Sequence, residues 1–410
     1  METAVAAARQ YGSSGLTSLS HRLAKQFTAA HGDAARNLVF SPLSIYSALS
    51  LVAAGAQGKT LREVLDLLGT GSREDLHMDV RRMVQQAIPA SPQDGGPRVS
   101  YASGLWHDSR RTPKPAYRDV AAASFRSVVR AVDFLTKAEE ARIQINSWVG
   151  ESTNNLIDSI LAPGSVNSTT RLVVTNAIYF KGRWDTPFEK QRTKEDKFHR
   201  LDGSSVTAQF MNSSKRQFIG VHDGFKVLRM PYTYRMHRAP GLPRTIPPRY
   251  SMCVLLPDTR DGLQGLMDAV ASSPSFLQDN LPRNKVKVGE FRVPRFKMSF
   301  TKSMREDLQD LGVQAVFSGA AELPDLLEED GSHEPLFLGD VLHKAVIEVN
   351  EEGTEAAAVT ACLMLGSCGP GRQPPPPVDF VADHPFAFFV VEEVSGAILF
   401  AGHVLDPTQS

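Results

Sequence analysis

The hydrophobic pattern of the first 160 residues predicts a largely helical region. At Ser41-Pro42 a capping serine precedes a proline, which suits the first position of a helix. The positions that follow, Leu43 to Ala53, are apolar almost all round, so this helix should be buried in a large core. Thr60-Leu-Arg-Glu63 has the form of a capping box and predicts a second helix that ends at Gly69. Similar periodicity predicts helices over about 15–30 and 140–160.

From Leu172 onward the pattern changes to strands rich in β-branched and aromatic residues. Gly312 would stop a short helix over 304–311. Cys253 lies within one of the apolar strands and is expected to be a core thiol. No linker separates the helical front from the strand-rich rear, so we predict one α+β domain over residues 1–410. The predicted strands are Leu172–Phe180, Ser251–Leu256, Phe296–Phe300, Ala345–Val349, Ala387–Glu392 and Ala397–Val404.

Composition narrows the function classes without choosing one. The 45 Lys+Arg residues balance 45 Asp+Glu residues, which argues against a nucleic-acid or other polyanion partner. Three cysteines cannot form a disulfide framework or a four-thiolate metal site. The first ten residues lack the apolar core of a signal peptide, and no window approaches the roughly 20 apolar residues of a membrane span. We therefore expect a monomer without a membrane partner, in the cytoplasm or exported without a classical signal, with the cytoplasm favoured.

The sequence lacks complete versions of the common enzyme and cofactor-binding motifs. Gly55-Ala-Gln-Gly58-Lys59-Thr60 ends like a phosphate-binding loop, but Ala53 stands where the first glycine is required. No nucleophile-elbow or zinc-protease motif occurs, and the 11 histidines are scattered. We therefore expect no catalytic residues, no metal and no cofactor, and we do not expect an enzyme.

The segment from Glu351 to Thr360 has an unusual composition. It follows a convincing strand, contains Gly353 as a joint and then runs through small residues. Its alanines could form a helix, since alanine is the best helix former. A period of two instead places Thr354, Ala356, Ala358, Thr360 and Cys362 on one face, and such a strand could enter a gap in a sheet at little steric cost.

Five ordered motifs stand out along the chain. The first three are Asn37-Leu-Val-Phe-Ser-Pro-Leu-Ser44, Thr175-Asn-Ala-Ile-Tyr-Phe-Lys-Gly-Arg-Trp184 and His343-Lys-Ala-Val-Ile-Glu-Val-Asn-Glu-Glu-Gly-Thr-Glu-Ala-Ala-Ala358. The last two are Phe380-Val-Ala-Asp-His-Pro-Phe386 and Leu399-Phe-Ala-Gly-His403. Together they resemble the serpin family, in which they would be the opening of the buried helix, the central strand, the strand with its hinge, the C-terminal signature and the last strand. The wording of several resembles plant serpins, and the resemblance implies that Trp184 marks the place where the sheet opens. The resemblance implies a single-domain serpin fold, with a helical N-terminal part packed on three β-sheets and an exposed reactive-centre loop over about 353–377.

The resemblance also implies a suicide-substrate mechanism against serine or papain-like cysteine proteases. A protease cuts the loop, forms an acyl-enzyme and is trapped when the cut loop inserts as a strand of the main sheet. The family's spacing places the reactive bond at Ser367–Cys368, the fifteenth residue counted from Gly353. The implied hinge comprises Gly353, Thr354, Glu355, Ala356, Ala357, Ala358, Val359 and Thr360.

Alternatives remain open for the bond and for the function. A papain-like protease that selects Leu365 would cut after Gly366, and a trypsin-like enzyme would cut after Arg372, beyond the expected position. We expect Cys362 and Cys368, which flank the bond, to be incidental thiols rather than a disulfide, since the expected compartment is reducing. The alternative function is a non-inhibitory binding or storage protein with the same fold.

Overall fold

The computed structural model describes residues 14–29, 36–89, 96–234, 247–328, 334–354 and 375–409. Among these residues, the N-terminal part contributes six α-helices, and three shorter α-helices follow later in the chain. The first six are α1 (Ser14–Ala29), α2 (Pro42–Gly55), α3 (Gly58–Leu68), α4 (Arg73–Ala87), α5 (Pro115–Phe125) and α6 (Phe134–Ser152). The last three are α7 (Leu263–Ser272), α8 (Phe276–Asn280) and α9 (Arg305–Asp310).

The strands form three sheets. The bounds are β1 (Leu38–Phe40), β2 (Arg98–Asp108), β3 (Ser127–Val132), β4 (Leu172–Arg183), β5 (Lys194–His199), β6 (Ser205–Asn212), β7 (Gln217–His222), β8 (Phe225–Pro231) and β9 (Tyr250–Pro257). They continue with β10 (Lys285–Val286), β11 (Val288–Pro294), β12 (Phe296–Ser303), β13 (Asp340–Val349), β14 (Gly353–Thr354), β15 (Val378–Val381), β16 (Phe386–Glu392) and β17 (Ile398–Val404).

One sheet has six strands, in the order β12-β13-β4-β2-β3, with β14 paired to β4. A seven-stranded sheet has the order β1-β17-β16-β9-β8-β7-β10, and a four-stranded sheet has the order β15-β11-β6-β5. Helices packed on three sheets were the predicted α+β architecture, and that prediction is confirmed.

Helix α2 lies at the centre of the core, as its apolar pattern predicts. All of its residues are buried, and the Ser41 side chain accepts a hydrogen bond from the Ser44 amide as the predicted cap. The same main core takes one face of the six-stranded sheet, including Ile178 and Phe180 of β4. The opposite face, including Tyr179, packs in a second cluster with residues of α6. The central strands are therefore covered on both sides, which explains their nearly continuous apolar runs.

The predicted capping box of the next helix is wrong. Helix α3 begins at Gly58, two residues before Thr60, although it ends as expected with Gly69 in the left-handed conformation. The first turn is capped from a distant segment, because the Glu322 carboxylate accepts from the Lys59 amide. Glu63, the expected cap partner, instead accepts from the amides of Gln314 and Ala315. The incomplete phosphate motif would place a phosphate at the N terminus of this helix. The carboxylate of Glu322 occupies that position instead.

The C-terminal strands and the core thiol agree with the sequence analysis. Strand β9 is buried along its length, and Cys253 within it is fully buried. Burial raises the pKa of the Cys253 thiol, so it stays protonated and behaves as a small apolar side chain. The periodicity of the first 160 residues predicts only a mostly helical region. It does not identify strand β2 or helices α4 and α5 within that region.

Candidate functional site

Strand β14 lies against the C-terminal end of β4. Gly353 is opposite Arg183 and Thr354 is opposite Gly182, in antiparallel register. At Gly353 φ is +149°, and a β-carbon there would lie 2.0 Å from the Gly182 carbonyl oxygen. Because that contact is with backbone atoms, only glycine lets the two chains approach so closely. The first two residues of the predicted hinge are therefore already paired with the main sheet.

The Thr354 side chain points into an aromatic site at the end of β4. Thr354 is 0% exposed, and its Oγ1 lies 2.9 Å from the Tyr232 hydroxyl oxygen. The Tyr232 ring stacks on Trp184 with 4.5 Å between ring centroids. The Trp184 indole N–H in turn donates to the Asn350 carbonyl at 2.9 Å. The hydroxyl of Thr354 is therefore paired with another hydroxyl, on a tyrosine whose ring stacks on Trp184.

Two glutamates hold the chain just before the hinge. Glu351 is 4% exposed; its Oε1 accepts from the Thr193 hydroxyl at 2.7 Å and lies 3.4 Å from an Arg295 guanidinium nitrogen. Glu352 pairs with Lys190. These ion pairs line a polar cavity of about 380 Å³ beside β14. They tie the base of the hinge to the 3-10 turn Lys190–Arg192 and to the segment between β11 and β12.

The edge of β4 that β14 uses is occupied further along by β13. The parallel pairing of β13 with β4 runs from Asp340 opposite Val173 to Val346 opposite Tyr179. From Phe180 to Arg183 that edge no longer carries β13, and β14 pairs with its last two residues. A longer hinge strand would have to separate β13 from β4.

A polar band crosses the sheet at the middle of that pairing. His343 of β13 lies directly opposite Asn176 of β4. The Ser41 amide donates to His343 Nε2 at 3.1 Å, and Asn176 Nδ2 donates to the Ser44 carbonyl at 2.9 Å. Within the described residues, Asn176 Oδ1, His343 Nδ1 and Ser47 Oγ are buried without a hydrogen-bond partner. Buried polar atoms without a hydrogen bond cost free energy, and two of these three lie on the facing strands β4 and β13.

Acidification from pH 7 to pH 5 is expected to lower the midpoint of urea unfolding, in part through His343. Burial lowers the pKa of His343 from 6.5 to about 3. Between those values the unfolded chain binds a proton that the folded chain excludes, so stability present at pH 7 is lost as the pH falls. At pH 5 this one group accounts for about 2 kcal/mol. We expect the pH-dependent loss to be smaller in H343Q, measured by urea unfolding at both pH values.

The control for this prediction is M78Q, which places the same side chain at an exposed position of α4 without removing a titratable group. Its loss between pH 7 and pH 5 should equal that of the wild type. The same loss in H343Q as in the wild type would contradict the assignment of the effect to His343.

Most of the predicted reactive loop falls outside the described residues. The hinge residues with a described position are Gly353 and Thr354. The other predicted site residues lie in 355–374, outside the described residues. They are Glu355, Ala356, Ala357, Ala358, Val359, Thr360, Leu365, Gly366, Ser367, Cys368 and Arg372. Cys362 and Pro374, the first proline of the run, lie in the same segment. They stay predictions from the sequence.

The site also contains residues that the sequence analysis missed. Tyr232, Thr193, Lys190 and Arg295 contact the hinge or the two residues before it. None of them lies in a recognisable motif, and each is far from residue 353 along the chain. Trp184 was predicted to mark the place where the sheet opens, and it does lie beside the hinge.

Among residues with a described position, no helix combines the length and apolarity that crossing a bilayer requires. The same residues contain no cluster of three or more His, Cys, Asp or Glu side chains arranged to hold a metal ion.

Comparison with known proteins assigns the chain to one family. The model of the serpin (serine protease inhibitor) family matches residues 14–407. The putative serpin-Z6C of Oryza sativa subsp. japonica is 56% identical over 98% of this chain and 99% of its own length. The structure of Arabidopsis AtSerpin1 in its native stressed conformation is 36% identical, with a TM-score of 0.83 over 96% of this chain and 98% of that chain. A thyroxine-binding globulin complex with thyroxine shares the fold, with a TM-score of 0.79, 24% identity and coverage of 97% and 99%.

Proposed function

This chain belongs to the serpin family, and from that membership we propose that it is a suicide-substrate inhibitor of serine or papain-like cysteine proteases. In the proposed reaction the protease nucleophile attacks the Ser367 carbonyl carbon and forms an ester or thioester. The Ser367–Cys368 peptide bond breaks, and the Cys368 nitrogen leaves with a proton from the protease. Insertion of the cut loop into the six-stranded sheet then prevents hydrolysis of the acyl-enzyme.

The observation that carries this proposal is the pairing of β14 with β4. The register that places Thr354 opposite Gly182 would, if continued, place Ala356 opposite Phe180 and Ala358 opposite Ile178. Phe180 and Ile178 belong to the main core, and opposite residues of an antiparallel pair share a face. The small hinge residues would therefore enter the core side of the sheet, where larger side chains would collide.

The same register brings the inserted strand to the polar band. Thr360 would lie opposite Asn176, whose Oδ1 is buried without a partner in the described residues. A threonine hydroxyl can donate one hydrogen bond to such an oxygen. Insertion would thus displace His343 from its place opposite Asn176 and offer a polar side chain in exchange.

The length of the loop fits the transport that the mechanism needs. The 14 residues from Thr354 to Ser367 would span roughly 46 Å as a strand at about 3.3 Å per residue. Met364 would reach Leu172, the first residue of β4, and Ser367 would lie three positions beyond it. The protease bound to Ser367 would therefore be carried past the opposite end of β4.

The loop sequence supports more than one target class. Ser367 suits a serine protease with a small selecting pocket, whereas Leu365 suits a papain-like enzyme that would cut after Gly366. Arg372 suits a trypsin-like enzyme, and we infer that cleavage there gives simple hydrolysis, because the insertion length would be wrong. We further propose that the inhibitor acts as a monomer, in the cytoplasm in preference to the extracellular space.

Incubation with a panel of serine and papain-like proteases tests the proposal. We expect at least one protease to form a covalent complex that resists denaturant, with the new chain end mapped by mass spectrometry after Ser367 or Gly366. The control is the same protease blocked at its nucleophile, which should form no complex. Clean cleavage without complex and without increased heat stability would instead indicate the non-inhibitory alternative.

A further inference from the structure

Five cations lie along one edge of the seven-stranded sheet. Strand β10 forms this edge and pairs with β7, with Lys285 opposite Phe218 and Val286 opposite Gln217. Val286 packs against the main core and Gln217 is buried, so the alternate residues face outward. We call this set the basic edge: Lys215, Arg216, Arg283, Lys285 and Lys287. Lys285 is half-buried, and the other members are exposed.

The basic edge carries an excess of positive charge within the described part of the chain. Within the described residues, none of the five makes an ion pair, although the whole chain has as many acidic as basic residues. The nearby carboxylate of Glu290 is taken by Arg292, at 3.1 Å. Like charges held together without partners cost stability, so this cluster is suited to an acidic partner from outside.

Packing fixes the middle of the basic edge. The Phe218 ring has Lys285 Nζ at 5.1 Å from its centroid and the Arg229 guanidinium at 4.2 Å. Arg229 is paired with Glu393 at 3.0 Å and does not add free charge. Arg216 donates to the Lys285 carbonyl at 2.7 Å. The edge is therefore a partly ordered surface, for which binding costs less side-chain entropy than for free lysines.

The basic edge adjoins the point at which the proposed reactive loop returns to the sheets. The Val378 amide, at the start of β15, donates to the Lys287 carbonyl at 2.9 Å. The proposed bond at Ser367–Cys368 is ten residues earlier, at most roughly 35 Å away along the chain. A protease domain of about 220 residues is itself roughly 40 Å across. A protease docked on the loop would therefore extend within reach of this edge.

We propose that the basic edge is a second docking surface for an acidic face of the target protease, which increases the rate of association. This inference rests on the proposed function, because the loop brings the protease to the edge. Complementary charge at an interface acts mainly on the rate of encounter and decreases with salt. The stoichiometry of inhibition, which depends on insertion after cleavage, should not depend on the edge.

The test compares two charge reversals of equal size. The edge variant is R216E/K285E/K287E, and the control is K25E/R81E/R118E. The three control positions lie on helices α1, α4 and α5. All three are exposed, and none makes an ion pair among the described residues. The rate constant of covalent complex formation is measured with the most acidic protease that the panel yields, at about 50 and 300 mM NaCl. We expect the edge variant to be slower by about tenfold at low salt, with the difference closing at high salt. The stoichiometry should match the wild type, and a heat scan checks that both variants are folded.

Equal rate constants for the edge variant and the wild type at low salt would overturn the proposal, as would an equal decrease in the control. A second measurement does not require inhibition. A fluorescent 20-residue poly-glutamate peptide should bind the wild type in a salt-sensitive manner and lose that binding in the edge variant. If no protease forms a complex, the proposed function fails. The peptide measurement still shows whether the basic edge binds an acidic partner. Absence of poly-glutamate binding overturns the inference, and binding of heparin alone would mark a polysaccharide site instead.

Discussion

Replacing Thr354 with arginine is expected to convert this protein from an inhibitor into a substrate. Thr354 is 0% exposed, and among the described residues its hydroxyl oxygen lies 2.9 Å from the Tyr232 hydroxyl. An arginine at this position would have to bury its charge beside the stacked rings of Tyr232 and Trp184, which costs several kcal/mol. Each 1.36 kcal/mol slows a step tenfold, so a cost of about 4 kcal/mol would slow insertion about a thousandfold. Hydrolysis of the acyl-enzyme would then win the competition.

The measurement is the fraction of cleaved T354R that remains as covalent complex, with a protease that traps the wild type. We expect it to fall from most of the protein to below about one part in a hundred. T354S keeps the hydroxyl and should behave like the wild type. Strand β14 has two residues at the end of the sheet, so its displacement should leave the fold intact, as a heat scan of the uncut variant would show. Undiminished complex formation by T354R would disprove insertion at this hinge.

The sequence predicts those parts of the fold that local patterns determine. The buried helix after Ser41-Pro42 and the strand that begins at Leu172 appear at their expected starts, because capping and side-chain periodicity are properties of neighbouring residues. The start of α3 was wrong for the complementary reason. Glu322 lies 263 positions from Lys59 and supplies the cap that Thr60 seemed to offer. A tertiary contact of that kind overrides the local signal and has no trace in the local sequence.

The candidate site likewise combines residues that the local sequence identifies with residues that only tertiary contacts bring together. Gly353 and the small residues after it could be identified in the sequence, since a flexible joint and a run of slender side chains are visible there. The contact of Thr354 with Tyr232 joins residues 122 positions apart, and the ion pair of Glu351 with Arg295 joins residues 56 positions apart. Only the sheet registers bring these groups together. The same holds for His343 and Asn176, which the pairing of β13 with β4 places face to face.

The arrangement of the six-stranded sheet explains how a folded chain can still gain stability. Strand β13 pairs with β4 from Val173 to Tyr179, and β14 pairs with the end of β4 at Gly182 and Arg183. The polar band at His343 and Asn176 interrupts the apolar packing halfway along. A chain of suitable length held nearby could replace that pairing by two new ones. Such a state would be maintained by the barrier to separating β13 from β4 and not by being the lowest in free energy.

A single cut within residues 355–374 of the wild-type protein is therefore expected to raise its heat-unfolding midpoint by about 5 °C or more. In the continued register, residues from Thr354 to Met364 would pair with β4 from Gly182 to Leu172 on one side and with β13 on the other. These two pairings would replace the present pairing of β13 with β4, so the net gain is about one ladder, roughly 10 kcal/mol at about 1 kcal/mol for each backbone hydrogen bond. Ordering of the strand would offset roughly half of this gain. The remaining gain of about 5 kcal/mol corresponds to about 1 °C per kcal/mol for a chain of this length.

This last expectation is independent of any particular target, because every protease that cuts the loop can be used. Calorimetry of intact and cut protein gives the change directly, and T354R provides the matched comparison. The cut wild type should gain heat stability, whereas cut T354R should unfold near the temperature of the intact protein, since its strand cannot enter beside Gly182 and Tyr232. An unchanged midpoint in the cut wild type would show that the sheet does not accept the loop. A gain in both proteins would show that the strand enters without burying residue 354, and the role assigned to that side chain would then be wrong.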